Sequence, residues 1–377
     1  MIATARGYAT RPAQAADNAS LVALAAASPM QAGLTICVRR DPDFFALTRI
    51  EGDRSVVGVV EGPEGDVVGC IGVAERLAHV RGEPMRTAYV GDLKVHPAHR
   101  GRGVADDLVR YARQVCRDWG GDDLPCLMTA LAGNRGVERR VSGPRGLPRL
   151  HRFATVRSHA VPLLVPRRQP QAGQYTVRRA GEADLEEMAC LWRALARERQ
   201  FAPVWTAEAF QAGIATSPPP GPSIGDYRLA HRSGTGRLAG FLALWDQHAF
   251  KRTHVLRYGA RLDALRRLLN LAAPLLSAPP LPDAGAPLRQ LAVFQVAVPG
   301  DEPAALRALL ERAYAEARRS GCVLLTTGLD VRDPLTRALD GLMAIPTPLH
   351  AHVTTPAGTY RGPDLDDRPL HFETALV

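Results

Sequence analysis

The sequence predicts an α/β protein in which two related units, each with a mixed sheet, follow one another along the chain. Short apolar runs bounded by glycine and proline turns alternate with segments of helical periodicity, which is typical of such a fold. A segment near the start also recurs near the middle of the chain. With 377 residues, of which 46% are hydrophobic, the chain is long enough for two ordinary cores.

The internal repeat begins with a tyrosine in each half. Residues 8–17 and 175–184 share Tyr, Arg, two Ala and Asp at constant spacing. Each copy is predicted to be a short strand that leads into a helix, with Asp17 and Asp184 able to cap the helix N-termini. Two hairpins, at residues 56–73 and 227–244, then follow in corresponding places. The second half therefore repeats the elements of the first.

The boundary between the halves is marked by composition. Three prolines and a glycine lie within residues 162–173, which indicates a stiff connection. We therefore predict a first domain at residues 1–165, a linker at 166–174 and a second domain at 175–377.

A glycine-rich turn in the first half is the strongest functional signal. The predicted strand 89–95 is followed by Arg100-Gly101-Arg102-Gly103-Val104-Ala105 and then by an amphipathic helix that ends near Gly120. Glycines let the backbone approach a ligand closely, and the first turn of a helix presents free N–H groups to an anion. Arginines add bidentate donors for phosphate oxygens. The pattern predicts a phosphate-binding loop.

This loop, together with Val95-His96-Pro97 before it, resembles the acyl-CoA loop of the GNAT acyltransferase superfamily over about residues 5–165. The resemblance implies that the loop amides bind the pyrophosphate of acyl-CoA and that the preceding strand pairs with the pantetheine arm. An Asn near the cofactor is also expected. The implied cofactor-binding residues are Leu93, Lys94, Val95, Arg100, Gly101, Arg102, Gly103, Val104, Ala105 and Asn134.

Departures from the GNAT pattern concern the proton chemistry. These enzymes often carry a tyrosine after the next strand, which protonates the departing thiolate, but no tyrosine lies between Tyr111 and Tyr175. The acid is therefore missing or is replaced by a group such as His151. A thiolate with a pKa of about 8.5 can also leave with help from water.

The second half retains the predicted strand and helix without the loop. Strand 291–298 is followed by Asp301 and Glu302 where a phosphate would need N–H groups. Because like charges repel, this half is predicted to be a degenerate GNAT-like domain that does not bind CoA. It either shapes the acceptor pocket or only covers the first domain.

Two carboxylates are candidates for the base that deprotonates an acceptor amine. The family often has Glu directly before the cofactor strand, where this chain has Gly91, and Asp92 comes one residue later. Since strand side chains alternate, Asp92 faces the thioester only if a bulge intervenes. Glu75, at the end of a neighbouring predicted strand, is the alternative catalytic residue.

These features predict an N-acyltransferase that uses acetyl-CoA or another acyl-CoA and transfers the acyl group directly in a ternary complex. The acceptor is an amine, on a small molecule or a peptide. An acyl-CoA-binding regulator without turnover is the alternative, because the tyrosine and the usual carboxylate are missing.

Other classes are less well supported. The net charge of +9 is spread along the chain, which makes nucleic-acid binding unlikely as a function. Six scattered cysteines predict no metal site. No apolar run reaches the ~18 residues that span a bilayer, and no leader is evident, so we expect no membrane partner and a cytoplasmic location. The oligomeric state is not indicated.

Overall fold

The structure is a computed structural model that describes residues 2–3, 7–31, 34–166, 173–215, 221–360 and 364–377. Strands and helices alternate around a large mixed sheet, which confirms the predicted α/β class. Most of the predicted linker, residues 167–172, lies outside the described residues. No described helix is both long enough and apolar enough to cross a bilayer.

The strands are β1 (Ile2–Ala3), β2 (Ala9–Pro12), β3 (Met30–Gln31), β4 (Thr35–Arg39), β5 (Arg54–Glu61), β6 (Val67–Val80), β7 (Glu83–Val95), β8 (Cys126–Leu131), β9 (His151–Pro162), β10 (Tyr175–Arg179), β11 (Tyr227–Arg232), β12 (Leu238–Trp245), β13 (Arg252–Arg257), β14 (Pro287–Leu288), β15 (Gln290–Ala297), β16 (Leu324–Asp330) and β17 (Ile345–Thr354). The helices are α1 (Asn18–Ala26), α2 (Phe45–Thr48), α3 (Val104–Gly120), α4 (Arg135–Glu138), α5 (Leu185–Ala196), α6 (Ala207–Ala215), α7 (Ala260–Leu276) and α8 (Pro303–Arg319).

The large sheet contains 13 strands within the described residues, in the order β1-β2-β5-β6-β7-β8-β17-β9-β16-β15-β12-β11-β10. The order is nearly symmetric about the β17–β9 pair. Helix α3 packs across β5, β6 and β7, and α8 packs across β10, β11 and β12 in the corresponding place of the other half. The predicted tandem repeat is therefore visible in the sheet.

The last strand of each half lies in the other half of the sheet. Strand β17 pairs with β8, from Leu349 opposite Leu131 to Thr354 opposite Cys126. Strand β9 pairs with β16, from Leu324 opposite Pro162 onwards. The sequence boundary near residue 165 is therefore not a boundary in the sheet, because hydrogen-bonded ladders run through it. Hydrophobic alternation identified the strands but carried no information about their partners.

A second, smaller sheet also joins the halves. Within the described residues its order is β14-β13-β4-β3, so that β4 of the first half pairs with β13 of the second. The antiparallel register places Val38 opposite Thr253 and Ile36 opposite Val255. This sheet was not predicted from the sequence.

The repeated aspartates have a different role from the predicted one. Asp17 binds Arg11 at 2.7 Å, and Asp184 binds Arg178 at 2.6 Å. Each carboxylate also accepts a hydrogen bond from the backbone three residues earlier, in the 3-10 turn before the helix. Neither caps the following α-helix through its side chain. The prediction of helix caps was therefore wrong, although the repeated motif folds alike in both halves.

Candidate functional site

Strands β7 and β8 form a fork in the first half of the sheet. They pair in parallel only at Ala88–Cys126 and Tyr89–Leu127, and no further pairing joins them within the described residues. The Tyr89 hydroxyl and Thr129 Oγ1 are 2.9 Å apart across the start of the fork. Beyond this point no strand pairs with the β8-facing edge of residues 91–95 within the described residues, although Arg100 Nε donates to the Val95 carbonyl at 3.2 Å. An extended ligand with amide groups can pair with such an edge.

A bulge lies on β7 at the fork. The pairing of β6 with β7 shifts between Cys70 and Gly72, and Asp92 has a φ of 54°. This left-handed conformation reverses the alternation of side chains. Asp92 therefore lies on the face of the sheet that carries Tyr89, as it must if it is to approach a thioester in the fork. The sequence identified this requirement but could not show the bulge.

The predicted phosphate loop follows directly. Gly101 and Gly103 have φ values of 79° and 91°, and α3 begins at the next residue, Val104. Within the described part of the chain, the backbone amides of Gly101, Gly103, Val104 and Ala105 donate to no protein acceptor. No atom lies within 4 Å of a Cβ placed on Gly101, so the space in front of the loop is open. Unsatisfied amides at a helix N-terminus form an anion site.

The charges around the loop favour an anion. The side chains of Arg100 and Arg102 are exposed beside it. Two acids lie in the first turn of α3, but both form ion pairs, Asp106 with Arg140 at 2.9 Å and Asp107 with a neighbouring arginine at 2.6 Å. The pairing offsets the repulsion that these carboxylates would exert on a phosphate.

Asn134 is placed at the far side of the fork. Its side-chain oxygen accepts hydrogen bonds from the amides of Gly136 and Val137, at 3.1 and 3.3 Å, and so caps helix α4. The side chain is exposed. His151, the sequence-based substitute for the missing tyrosine, is exposed at the start of β9, where it pairs with Val353.

Residues 15–133 match a family model described as an acetyltransferase (GNAT) domain. Over these residues the chain is therefore similar to a GNAT domain. The fold is similar to a crystal structure of a GCN5-related N-acetyltransferase from Sphaerobacter thermophilus, with 15% identity, a TM-score of 0.61 and coverage of 94% of this chain and 96% of that one. It is also similar to N-myristoyltransferase from Saccharomyces cerevisiae with bound myristoyl-CoA (13% identity, TM-score 0.64, 94% and 84% coverage). No curated protein sequence matches the chain.

The predicted base Asp92 is held by two cations within the first half of the chain. Arg40 binds one carboxylate oxygen at 2.9 Å, and Lys94 Nζ binds the other. Burial alone would raise the pKa of Asp92, but Lys94 and Arg40 outweigh it and hold the pKa well below its usual range. A carboxylate with so low a pKa is a weak proton acceptor. Its catalytic role remains a prediction.

The alternative base, Glu75, lies on the other face of the sheet. On β6 it shares the face of Val73, which packs into the core under α3. Its carboxylate binds Arg54 and Arg86, each at 2.5 Å, and the Arg54 guanidinium lies 4.5 Å from the Trp119 ring centre. Glu75 is therefore separated from Tyr89 by the sheet. This placement argues against Glu75 as the base.

A small, partly open cleft adjoins the fork on the Tyr89 face. Its lining comes from both halves of the chain and consists of Glu51, Arg76, Thr87, Ala88, Tyr89, Leu127, Phe201, His371, Phe372, Glu373, Leu376 and Val377. Sequence reasoning missed Glu51, which follows α2 and belongs to no motif. It is buried here, with 8% of its surface exposed.

The corresponding fork of the second half is partly occupied by the chain itself. Strands β15 and β16 pair from Gln290–Leu324 to Ala292–Thr326. Beyond this, the 3-10 turn Thr374–Leu376 packs against both strands. A side chain at Gly328 would collide with Thr374. The turn therefore occupies part of the second fork, where a small pocket lined by Val293, Gly328 and Glu373 remains.

The turn before α8 is also unsuited to a phosphate. Helix α8 begins at Pro303, and Glu302 directly before it binds Arg232 at 2.5 Å and accepts from the Tyr175 hydroxyl at 3.1 Å. A carboxylate thus lies at the position that glycine and free amides occupy in the first half. This arrangement agrees with the prediction that the second half does not bind CoA.

Proposed function

We propose that this protein is an acyl-CoA-dependent N-acyltransferase that transfers the acyl group of acetyl-CoA, or of another acyl-CoA, to an amine. The observation that carries the proposal is the open fork followed by the loop with four unpaired amides. An adenosine-bearing pyrophosphate requires such an anion site at one end, and a pantetheine arm requires an open strand edge at the other.

In this proposal, the amides of Gly101, Gly103, Val104 and Ala105 bind the pyrophosphate, and Arg100 and Arg102 neutralise its charge. The backbone of Leu93, Lys94 and Val95 pairs with the pantetheine arm. Asn134 borders the arm from the β8 side. The thioester then lies at the fork beside the Asp92 bulge, within reach of the cleft.

The acceptor, a small molecule or a peptide with a free amine, enters through the cleft and attacks the thioester in a ternary complex. The lining from residues 371–377 supports a role of the second half in forming the acceptor site. Direct transfer needs both substrates bound together, and the cleft and the loop lie on different sides of the fork.

A non-catalytic acyl-CoA-binding regulator is the second candidate. It is favoured by the absence of a tyrosine from residues 112–174. The two functions are separated by measuring release of CoA thiol from acetyl-CoA in the presence of a panel of amines. Turnover that depends on the amine supports the enzyme, whereas tight binding without thiol release under every condition supports the regulator.

A further inference from the structure

We propose that Glu51 is the general base of this protein and that the cleft around it receives an amine carried on an apolar body. This inference rests on the acyltransferase function proposed above. It assigns the proton transfer to Glu51 and not to Asp92 or Glu75, the two candidates predicted from the sequence.

The cleft reaches the place where the reaction would occur. Tyr89 lines the cleft with its ring, while its hydroxyl lies against Thr129 across the start of the fork. Glu51 and Tyr89 therefore share one cavity that ends at the separating strands. An amine held beside Glu51 is directed towards a thioester in the fork, as a general base must direct its substrate.

The walls of the cleft are largely apolar. Leu127 and Leu376 are buried, and Phe201 lies on the same side. The rings of Phe372 and Tyr89 are 6.0 Å apart with a tilted geometry. Aromatic faces attract both apolar groups and cations. The chemistry of these walls therefore suits an apolar amine better than a hydrated polyol or a phosphate.

Glu51 has the free proton-accepting group that the other carboxylates lack. Within the described residues no side chain donates a hydrogen bond to its carboxyl group, although its backbone oxygen accepts one from Arg76. Burial and then the nearby charge of Asp92 raise the pKa of Glu51 to about 7, against the opposing effects of Arg40, Arg76 and Lys251. A base is most effective when its pKa lies near the working pH.

The other titratable groups at the cleft are already occupied. The Glu373 carboxylate accepts a hydrogen bond from the backbone N–H of Gln295 at 3.0 Å, and the same carboxylate lies 3.2 Å from His371 Nε2. Burial raises the pKa of Tyr89, so its hydroxyl stays protonated. Lys251 Nζ donates to the backbone oxygens of Ala375 and Val377, the second of which lines the cleft. Of the two glutamate side chains that line the cleft, Glu51 is the one whose carboxylate has no hydrogen-bond donor in the described part of the chain.

The proton balance of the step is complete without a further reactant. The ammonium group of the acceptor gives one proton to the Glu51 carboxylate, and the free amine attacks the thioester carbon. The C–N bond forms, the C–S bond breaks, and sulfur takes the electron pair. The second amine proton goes to the thiolate, and Glu51 returns its proton to solvent. The products are an amide, CoA thiol and one proton.

The test uses acetyl-CoA with 2-phenylethylamine, and methylamine serves as the probe without an apolar body. We expect a lower KM for 2-phenylethylamine than for methylamine. Glu51→Gln should keep acetyl-CoA affinity but lower kcat by about 10²-fold or more, and the acid limb of the pH profile should disappear. The matched control is Glu316→Gln, a carboxylate on α8 paired with Arg228, which should retain kcat.

Each outcome decides between the two proposals. If Glu51→Gln keeps the kcat and pH profile of the wild type, Glu51 is not the base. Equal KM values for both amines overturn the apolar acceptor site. If acetyl-CoA binds but neither amine is bound or acylated, the cleft does not take such amines and the CoA site stands. No binding of acetyl-CoA means that the proposed function itself has failed. Should Glu51→Gln not fold, Leu376→Trp fills the cleft and must raise the amine KM alone.

Discussion

Gln295 occupies the same place in the second half that Asp92 occupies in the first. Each lies at a bulge of the strand before the long helix, with φ values of 49° and 54°. The two bulges have different partners. The backbone N–H of Gln295 donates to the Glu373 carboxylate at 3.0 Å, so a segment of the chain itself lies against the second bulge. The Asp92 bulge borders an open fork. Strand β15 of the second half therefore binds Glu373, a residue that lines the cleft beside the fork of the first half.

This asymmetry predicts one CoA site per chain. Residues 374–376 pack against both strands of the second fork, and Glu302 opposes a phosphate before α8. Calorimetry with acetyl-CoA should give a stoichiometry near one. Two equivalent sites would show that a ligand displaces residues 370–377 and that the second half does bind CoA, contrary to this prediction.

Charge reversal in the loop should remove CoA binding. In Arg100→Glu and Arg102→Glu, a repulsive carboxylate replaces a phosphate donor, and each change should weaken acetyl-CoA affinity by at least about tenfold. Glycine substitutions are less informative here because the positive φ values at Gly101 and Gly103 strain any other residue. Arg319→Glu, an exposed change on α8, is the control and should bind as the wild type does. Equal losses in all three variants would indicate a general charge effect.

Asp92→Asn should shift the pH dependence instead of abolishing activity. The charge of Asp92 raises the pKa of Glu51, so its removal should lower that pKa. A general base acts in its deprotonated form, and the acid limb of kcat should therefore move to lower pH. A pH–rate series in both proteins measures the shift. A limb that stays in place, combined with a loss of about 10²-fold, would instead identify Asp92 as the base.

The titration of Glu51 should also appear in the stability of the protein. Its pKa is about 7 in the folded state, against 4.5 for an ordinary glutamate side chain, so the folded state binds the proton more tightly. Stability from this group is present below pH 4.5 and is lost as pH rises towards 7. The Glu51→Gln variant cannot titrate at this position and keeps its stability over this range. Its free energy of unfolding minus that of the wild type should therefore rise by up to about 3 kcal/mol between pH 4.5 and 8.

Denaturant unfolding at several pH values measures this difference. Only its change with pH is informative, since the substitution also alters contacts that do not titrate. Glu316→Gln serves again as a control, because the pKa of Glu316 is lowered and not raised. A stability difference that is flat across this range would show that Glu51 titrates normally, and the role as a base near neutral pH would lose its support.

The sequence predicted those features that depend on local spacing. Strand, glycine turn and helix follow one another within residues 89–120, so their chemistry could be inferred without a fold. The repeat was detectable because Arg11 and Asp17 recur as Arg178 and Asp184 at the same separation. Such signals need only neighbours along the chain.

Features made by distant segments were not predictable in this way. Glu51 reaches the cleft because α2, β6 and residues 371–377 meet there, and no local pattern links these segments. The exchange of β9 and β17 likewise depends on pairing partners, which hydrophobic alternation does not encode. The bulge at Asp92 depends on the register between β7 and β6. The sequence showed that Asp92 needs a bulge to face the thioester, but it did not show that the bulge exists.

The central claim, a single acyl-CoA site in the first half, is tested most directly by a crystal structure with acetyl-CoA. We expect the pyrophosphate of acetyl-CoA to bind the amides of residues 101–105 and the pantetheine arm to lie along Leu93 to Val95. The thioester should lie at the fork between Asp92 and Tyr89, with its carbonyl carbon facing the Glu51 cleft. Acetyl-CoA bound in the second half, or bound outside the β7–β8 fork, would contradict it.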